Sequence, residues 1–392
     1  MLEQTSVKPT GGGHYAQWIR TILGEARAAN RKILPLFEST VAEPRTLLTG
    51  LVHKAFSDPV TSRYTSAFSG GNPYVVDSLA RLYGTNPDQL LCTTGATGGM
   101  SLLYRALLQA GDHVLVETPG FDLLAILAAE QGAVVGSFTR PGDDFAIDVG
   151  RIKAALTPRT KLVVITNLHN PSGLAAVHTD LLALAELAEA RGFLVLVDEV
   201  YGDFATPDER PMPACAVSER FVSISSLTKS FGLSTLRCGW IVGAPGVIAA
   251  VREVAARTDF SISNLSHAVA ALVLERPEPF RAYSESILAA AAPLVRAHTT
   301  EWREEGLIEG TMPLSGCIAF PRLTGVDDTL CFAARLFEQS GIAVVPGEFF
   351  AAPGHIRIGF GLPVQVLEQA LDGLGSALFA HRNAEAKLRR VR

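Results

Sequence analysis

From about residue 88, short apolar runs alternate with stretches of helical spacing. This alternation is typical of an α/β fold, in which helices connect the strands of a largely parallel sheet. The candidate strands are Leu90–Thr94, His113–Glu117, Val134–Phe138, Lys161–Thr166, Phe193–Asp198, Arg220–Ser225 and Gly239–Val242. Leucines and alanines recur at helical spacing in Thr179–Arg191, and Gly192 follows as a stop signal. The pattern predicts a mostly parallel seven-stranded sheet flanked by helices.

The pattern changes after about residue 280, where a long helical region begins and a smaller α+β domain is predicted. Its elements are Gly316–Phe320, a helix over Asp327–Gln339, strands over Ile342–Val345 and His355–Phe360, and a closing helix from Pro363. The N-terminal stretch Tyr15–Asn30 is helical in pattern and has no place in the main sheet. Because 392 residues exceed one simple core, we predict a large domain over 50–280 and a small domain over 1–49 and 281–392.

Composition argues against several classes of protein. A net charge of −5 favours neither nucleic acid nor an anionic membrane as partner. The five cysteines are scattered and contain no C-x-x-C pair, which argues against a disulfide framework or a zinc site and fits a reducing compartment. Neither a signal peptide nor an apolar run long enough for a membrane span is recognised, so we expect a cytoplasmic protein. A mean hydropathy of +0.24 fits a large subunit interface or an Ala-rich core.

Two glycine-containing segments follow predicted strands, where open α/β sheets bind ligands. Residues 94–99 read TGATGG and open a helix, so they form either a phosphate site or a tight turn. Their spacing is not G-x-G-x-x-G, which disfavours a dinucleotide-dependent dehydrogenase. Residues 167–173 read NLHNPSG and are, taken alone, a turn.

Charged residues follow the next two strands. Asp198 ends the most apolar strand, where a carboxylate either caps the next segment or meets a cationic ligand atom. Lys229 lies among hydroxyl residues beyond the following strand. A lone lysine is usually a solvated surface residue, but a desolvated one can form a Schiff base. Arg237, eight residues further on, could clamp a phosphate or form a structural ion pair.

In their order along the chain, these segments resemble the class I/II aminotransferases of fold type I, which depend on pyridoxal 5′-phosphate (PLP). The similarity extends from about Tyr64 to Phe360 and is greatest between Gly95 and Trp240. It implies a transferase that moves an amino group from an L-amino acid to a 2-oxo acid by a ping-pong mechanism. It also implies a homodimer with shared active sites.

The resemblance assigns roles around the cofactor ring. Lys229 would hold PLP as a Schiff base and then move the proton between the substrate Cα and the cofactor C4′. Asp198 would face the pyridine nitrogen and keep it protonated. Tyr201 and Asn170 would hydrogen-bond the phenolic oxygen. Phe121 would stack on the ring, although without the resemblance this residue is expected in the core.

The resemblance also assigns residues to the phosphate and the substrate. The phosphate site would be formed by Gly95, Ala96, Thr97, Ser226 and Arg237. Tyr64 would reach the phosphate of the neighbouring subunit; otherwise it is an ordinary loop aromatic. Arg357 would bind the substrate α-carboxylate through its planar guanidinium, next to Asn170.

The chain departs from the family pattern near its N-terminus. The family often carries a glycine-containing G-x-P gate, whereas residues 36–44 here read LFESTVAEP. Glu38 in this gate segment would meet a cationic substrate side chain or lie at the surface, and we favour the surface. A second departure is Ser78-Leu79-Ala80 after Asp77, where the family usually has Leu-Arg.

Two other functions compete with transamination. A PLP-dependent lyase or cyclase would use the same fold and cofactor for β/γ-elimination or replacement, and changes at the gate occur in relatives that do not transaminate. A regulator that fuses this fold to a DNA-binding domain is disfavoured, because such regulators carry an extra winged-helix segment before the fold and only about 60 residues precede the Tyr64 segment here.

Overall fold

The computed structural model describes residues 14–57, 63–64, 70–205, 210–258, 262–313 and 315–391. Its main sheet contains β1 (Leu90–Thr94), β2 (His113–Thr118), β3 (Val134–Thr139), β4 (Thr160–Thr166), β5 (Leu194–Asp198), β6 (Phe221–Ser226) and β7 (Cys238–Val242). The strand order is β1-β7-β6-β5-β4-β2-β3, and β7 is antiparallel to both of its neighbours while the other adjacent pairs are parallel. The predicted seven-stranded, mostly parallel sheet is confirmed.

The central strands are apolar because both faces of the sheet are covered. In β4, Leu162 and Val164 pack into one hydrophobic cluster, whereas the alternate residues Val163 and Ile165 pack into another. Successive side chains of a strand point to opposite faces, so a strand covered on both sides must be continuously hydrophobic. This burial explains why continuous apolar runs, rather than alternating ones, identified these strands.

The helices lie on both faces of the sheet and at the C-terminal end of the chain. They are α1 (Tyr15–Ala28), α2 (Arg45–Phe56), α3 (Pro73–Tyr83), α4 (Gly95–Leu107), α5 (Asp122–Glu130), α6 (Val149–Ala155), α7 (His178–Arg191), α8 (Pro245–Thr258), α9 (Asn264–Glu275), α10 (Glu278–Glu304), α11 (Thr329–Ser340) and α12 (Val364–Val391). Gly192 ends α7 with a left-handed φ of 74°, which agrees with its prediction as a stop signal. In the described part of the chain, no helix is both long and apolar enough to cross a membrane.

The C-terminal part contains short strands and its own hydrophobic cluster. The strands are β8 (Ile308–Glu309), β9 (Ile318–Ala319), β10 (Arg322–Leu323), β11 (Val345–Pro346) and β12 (Ile356–Gly359). The cluster joins α10, α11, α12 and β12 with Leu34 and Leu36 from the N-terminal segment. Leu34 and Leu36 of the N-terminal segment therefore share a core with the C-terminal part.

One predicted strand of this part has different bounds. Ile342–Val345 was expected to be a strand, but only Val345 belongs to β11. Ile342 instead forms a single parallel bridge with Leu34, outside any ladder. Ile342 and Val344 are almost fully buried, so the apolar run reflects burial in the core rather than strand pairing.

Candidate active site

Polar side chains meet where the central strands end. Thr166, Asp198 and Ser226 are the last residues of β4, β5 and β6, and adjacent strands pair Thr166 with Asp198 and Ser226 with Gly239. Parallel strands place their carboxyl ends at one edge of the sheet. Segments 167–173 and 227–232 therefore leave the same edge of the sheet on either side of Asp198, the last residue of β5.

Lys229 lies at this edge of the sheet and contacts the N-terminal segment. Its Nζ donates to the hydroxyl of Ser39 at 2.9 Å and lies 5.8 Å from the centre of the Tyr201 ring. The Tyr201 side chain also hydrogen-bonds Ser39. Thr40 fixes the backbone here, because its hydroxyl donates to the carbonyl of Lys229 at 2.9 Å. Burial lowers the pKa of Lys229, which favours the neutral amine that nucleophilic and proton-transfer chemistry needs.

Asp198 provides the acidic group of the site. Burial raises the pKa of Asp198 to about 6, against opposing contributions from the Val200 backbone N–H and from the charge of Lys229. The Val200 N–H donates to Oδ1 at 3.1 Å. A cation brought next to this carboxylate would offset its desolvation and keep it ionised.

Arg357, on β12, faces this edge from the C-terminal part of the chain. Its Nη1 donates to Oδ1 of Asn170 at 2.9 Å, and its Nη2 donates to the Tyr15 hydroxyl at 3.0 Å and to the Phe37 carbonyl at 3.2 Å. Its Nε is buried and has no hydrogen-bond partner within the described residues. A guanidinium held in this way still has its Nε–H to offer to a carboxylate as a charge-assisted hydrogen bond.

Asn170 is positioned by a chain of buried hydrogen bonds that reaches back into the sheet. Its N–H donates to the Thr166 hydroxyl at 2.8 Å, and that hydroxyl donates to Oε1 of Glu117 at 2.6 Å. The other oxygen of Glu117 accepts from Nη1 of Arg140 at 2.9 Å, in an ion pair whose two side chains are about 1% exposed or less. These contacts fix the Asn170 backbone relative to strands β2 and β4.

A backbone cradle lies at the start of α4. Gly95 begins this helix with a φ of 73°, and an added Cβ there would lie 2.5 Å from Nη2 of Arg237. An added Cβ at Gly239 would lie 2.7 Å from the backbone nitrogen of Ala96. Arg237 itself has a left-handed φ of 47°. The two glycines thus leave the N-terminus of a 13-residue helix next to a guanidinium, an arrangement that suits a phosphate.

The remaining predicted residues differ in how closely they join this group. Thr97 lies in the first turn of α4, and Ser226 is buried at the end of β6. Phe121 is half-buried, and its ring lies edge-on to Tyr15 at 5.7 Å. Tyr64 is 48% exposed, and no described hydrogen bond or ring contact links it to the other site residues. Residues 65–69 of its segment lie outside the described residues.

Sequence reasoning missed Ser39 and Tyr15, which touch Lys229 and Arg357. It also favoured a surface position for Glu38, whereas the structure shows Glu38 half-buried, with a charge that raises the pKa of Lys229. The signal that could have found Ser39 and Glu38 is the gate segment, whose departure from the family pattern we noted. Tyr15 gave no signal of its own, because it is one aromatic residue in an amphipathic helix.

Comparison with known proteins identifies the family. The sequence profile described as "Aminotransferase class I and II" matches residues 61–374. Capreomycidine synthase of Streptomyces vinaceus is 31% identical over 303 residues, which cover 75% of this chain and 76% of that protein. A probable N-succinyldiaminopimelate aminotransferase of Mycobacterium tuberculosis is 30% identical over 270 residues, covering 68% of each chain. An aspartate/prephenate aminotransferase of Thermus thermophilus is 28% identical over 324 residues, covering 79% of this chain and 82% of that protein.

A solved structure shares the fold at lower sequence identity. The aspartate aminotransferase of Thermus thermophilus, determined with maleate, superposes with a TM-score of 0.84 at 24% identity, over 94% of this chain and 97% of that one. Together with the profile match, this likeness confirms the predicted fold type I. The chain belongs to the class I and II aminotransferases, which are PLP-dependent transferases.

Proposed function

We propose that this chain transfers an amino group from an L-amino acid to a 2-oxo acid, with PLP held on Lys229, by a ping-pong mechanism. The observation that carries this proposal is the convergence of Lys229, the half-buried carboxylate of Asp198 and the guanidinium of Arg357 on one edge of the sheet. These groups supply a nucleophilic amine, a counter-ion for a ring cation and an anchor for a carboxylate.

The described residues fit the cofactor. Its phosphate would lie against the backbone of Gly95, Ala96 and Thr97, where the start of α4 favours an anion. Arg237, which precedes β7, and Ser226, at the end of β6, would complete this phosphate site. The fit rests on Gly95 and Gly239, since a Cβ at either position would fill the cradle between α4, β7 and Arg237.

Each side chain would then have a defined task. Pyridoxal phosphate, when bound, supplies a ring that withdraws electrons from the substrate Cα. Asp198 would hold a proton on the ring nitrogen, because its desolvated carboxylate needs a cation. Asn170 and Tyr201 would bind the phenolic oxygen, and Phe121 would cover the ring face. Once released from the cofactor, the Lys229 amine would move the proton between substrate Cα and cofactor C4′.

Arg357 would orient the substrate for this proton transfer. Its Nη atoms already engage Asn170, Tyr15 and Phe37, so the guanidinium plane is fixed before an amino acid arrives. A fixed plane reduces the conformational freedom lost on binding. The α-carboxylate would bind to the guanidinium beside Asn170, which would place Cα near the Lys229 amine.

The proposed function also predicts a quaternary arrangement and a division into domains. Tyr64, half exposed in a single chain, would reach the phosphate of a second copy in a homodimer with shared active sites. The large domain would comprise residues 50–280, and the small domain residues 1–49 and 281–392. The joint packing of Leu34 and Leu36 with α11 and α12 supports this division. We place the enzyme in the cytoplasm.

A PLP-dependent lyase or cyclase is the second candidate. Two observations favour it: the 31% identity to a protein named capreomycidine synthase, and the absence of glycine from the gate segment, residues 36–44. Elimination or cyclisation would use the same Lys229, Asp198 and Arg357, because these residues serve carbanion formation and other groups decide the product.

One experiment separates the two functions. The purified holoenzyme is incubated with single amino acids and no oxo acid, while the cofactor absorbance is followed. Stoichiometric conversion to the aminated cofactor with release of an oxo acid indicates transamination, and adding a 2-oxo acid should restore the original spectrum. Repeated turnover without an acceptor, with a leaving group or a cyclic product, would instead establish the lyase or cyclase.

A further inference from the structure

The gate segment is clamped between the two charged groups of the site. On one side, the Leu36 carbonyl accepts from the Gly359 N–H at 2.6 Å and the Phe37 carbonyl accepts from Arg357. On the other side, Ser39 accepts from Lys229 and Thr40 donates to the carbonyl of Lys229. Glu38 therefore lies at the one position between the residue that contacts Arg357 and the residue that contacts Lys229.

The carboxylate of Glu38 lies near these groups but does not pair with either of them. Its side chain is half-buried, and its charge acts on Lys229. Within the described residues, neither a hydrogen bond nor an ion pair engages this carboxylate. Lys229 donates to Ser39 instead, and Arg357 donates to Asn170, Tyr15 and Phe37.

A partly exposed carboxylate without a protein partner among the described residues is available to pair with a cation that a bound molecule brings. The two cations that contact its neighbours Ser39 and Phe37 already have tasks in the proposed function, since Lys229 would hold the cofactor and Arg357 would bind the α-carboxylate. The side chain of a substrate anchored between them is then a source of positive charge that could reach Glu38.

We infer that Glu38 selects an amino donor whose side chain ends in a guanidinium or ammonium group. This inference rests on the proposed function, because it assumes that Arg357 holds the α-carboxylate and that the reacting Cα lies at Lys229. A guanidinium pairs with a carboxylate through two parallel hydrogen bonds, so an arginine-like donor suits Glu38 well. A donor with an acidic side chain is disfavoured by like-charge repulsion at the same position.

The first test compares two substrates of nearly the same shape and different charge. L-Arginine carries a guanidinium, and L-citrulline carries a neutral urea group in its place. The wild-type holoenzyme should prefer arginine. Glu38→Gln should lower kcat/KM for arginine by about 10- to 100-fold, the range expected for losing a hydrogen bond between charged groups. The loss should appear mainly as a higher KM for arginine, and kcat/KM for citrulline should change little.

Glu43→Gln is the matched control. Glu43 belongs to the same segment, but its carboxylate accepts from the Thr235 hydroxyl at 2.6 Å, away from Lys229 and Arg357. This variant should leave the arginine-to-citrulline ratio at the wild-type value. An equal loss in both variants would show a general effect on the segment and would overturn the role of Glu38.

The second test measures binding without turnover. 5-Guanidinopentanoate and 5-ureidopentanoate lack the amino group that reacts, and calorimetry gives their affinities for the holoenzyme. The guanidino compound should bind more tightly to wild type, and Glu38→Gln should abolish the difference. Equal binding of the two compounds by wild type, or a preference for citrulline in turnover, overturns the inference while leaving transamination intact. Failure of every amino acid to aminate the cofactor overturns the proposed function itself.

Discussion

The carboxamide oxygen of Asn170 accepts a 2.9 Å hydrogen bond from Nη1 of Arg357, so residues 187 positions apart meet in one buried contact. Asn170 follows β4 of the main sheet, and Arg357 lies on β12 of the C-terminal part. The Asn170 backbone is in turn fixed through Thr166 and the buried Glu117–Arg140 pair. The position of the guanidinium is therefore set by the sheet as well as by β12.

The first prediction concerns Arg357. Arg357→Ala should raise KM for amino acids by about 10- to 100-fold, because it removes a charge-assisted contact to the α-carboxylate. Steady-state kinetics and the amplitude of cofactor amination would measure the effect. Arg322→Ala, at a largely exposed arginine of the same region, is the control and should change neither quantity. An unaltered amino-acid affinity in Arg357→Ala would rule out the carboxylate anchor.

The second prediction concerns the attachment of the cofactor. Purified protein should show the absorbance of a pyridoxal Schiff base near the visible range. Borohydride reduction should fix the cofactor irreversibly on Lys229, and peptide mass analysis would identify the labelled residue. Lys229→Ala should lose both the covalent label and nearly all turnover. Lys161→Ala, which replaces an exposed side chain of β4, is the control and should keep both the covalent label and the turnover. Labelling of another lysine in the wild-type protein would refute the assignment.

The third prediction concerns turnover and Asp198. Asp198→Ala should retain part of its cofactor, since the phosphate site and Lys229 are unchanged, yet lose nearly all activity. The reason is that the ring nitrogen would lose the counter-ion that keeps it protonated. Bound cofactor and kcat are measured on the same sample. A variant with wild-type turnover would exclude this role for the carboxylate.

The fourth prediction is a pH dependence of stability in the protein without cofactor. The pKa of Asp198 is raised by burial from 3.8 to about 6, so the folded protein retains a proton that the unfolded chain has already lost. The stabilisation that this retained proton provides is present below about pH 4 and is lost as the pH rises through 6. The loss amounts to about 3 kcal/mol in the free energy of unfolding. Asp198→Asn removes this titration.

The advantage of Asp198→Asn over wild type in free energy of unfolding should therefore grow by about 2 kcal/mol from pH 4 to pH 7. Denaturant titrations at both pH values measure it. Glu199, whose pKa burial raises to about 7 with a smaller contribution from the Asp198 charge, titrates in both proteins, so the effect of its burial is common to both. Loss of the repulsion between Asp198 and Glu199 in the variant adds to the variant's advantage at pH 7. A constant difference between the two proteins across this range would contradict the raised pKa of Asp198.

The sheet could be predicted because its central strands are covered on both faces. Continuous apolar runs such as the one ending at Asp198 are typical of strands buried on both faces, and polar residues mark where each run ends. The same rule failed at Ile342–Val345. There the apolar residues fill a core next to Leu34 without joining a ladder, and burial alone does not distinguish the two cases.

The site was only partly predictable, for a different physical reason. Lys229 and Asn170 belong to segments whose residue types and order are informative in themselves. Ser39 and Tyr15 reach Lys229 and Arg357 from 190 and 342 positions away along the chain. Nothing in their local sequence specifies those contacts, because they depend on how the N-terminal segment packs against the rest of the chain.

The last prediction tests the phosphate cradle through its glycines. A Cβ at Gly239 would clash with the backbone at Gly95 and Ala96, and backbone at the start of a helix cannot move without displacing α4 or β7. Gly239→Ala should therefore weaken PLP binding by at least about tenfold and cost about 1–3 kcal/mol in the free energy of unfolding, the usual range for overpacking. Equilibrium dialysis with PLP and denaturant unfolding measure the two effects.

Gly98→Ala is the matched control, because it adds the same methyl group on the same helix. There the nearest atom, the Thr94 Cβ, lies at an ordinary 3.5 Å. Alanine also favours the helical conformation over glycine by about 0.5–1 kcal/mol, so this variant should be at least as stable as wild type and should bind PLP normally. If Gly239→Ala bound PLP as tightly as Gly98→Ala, the phosphate would have to lie elsewhere than at the start of α4.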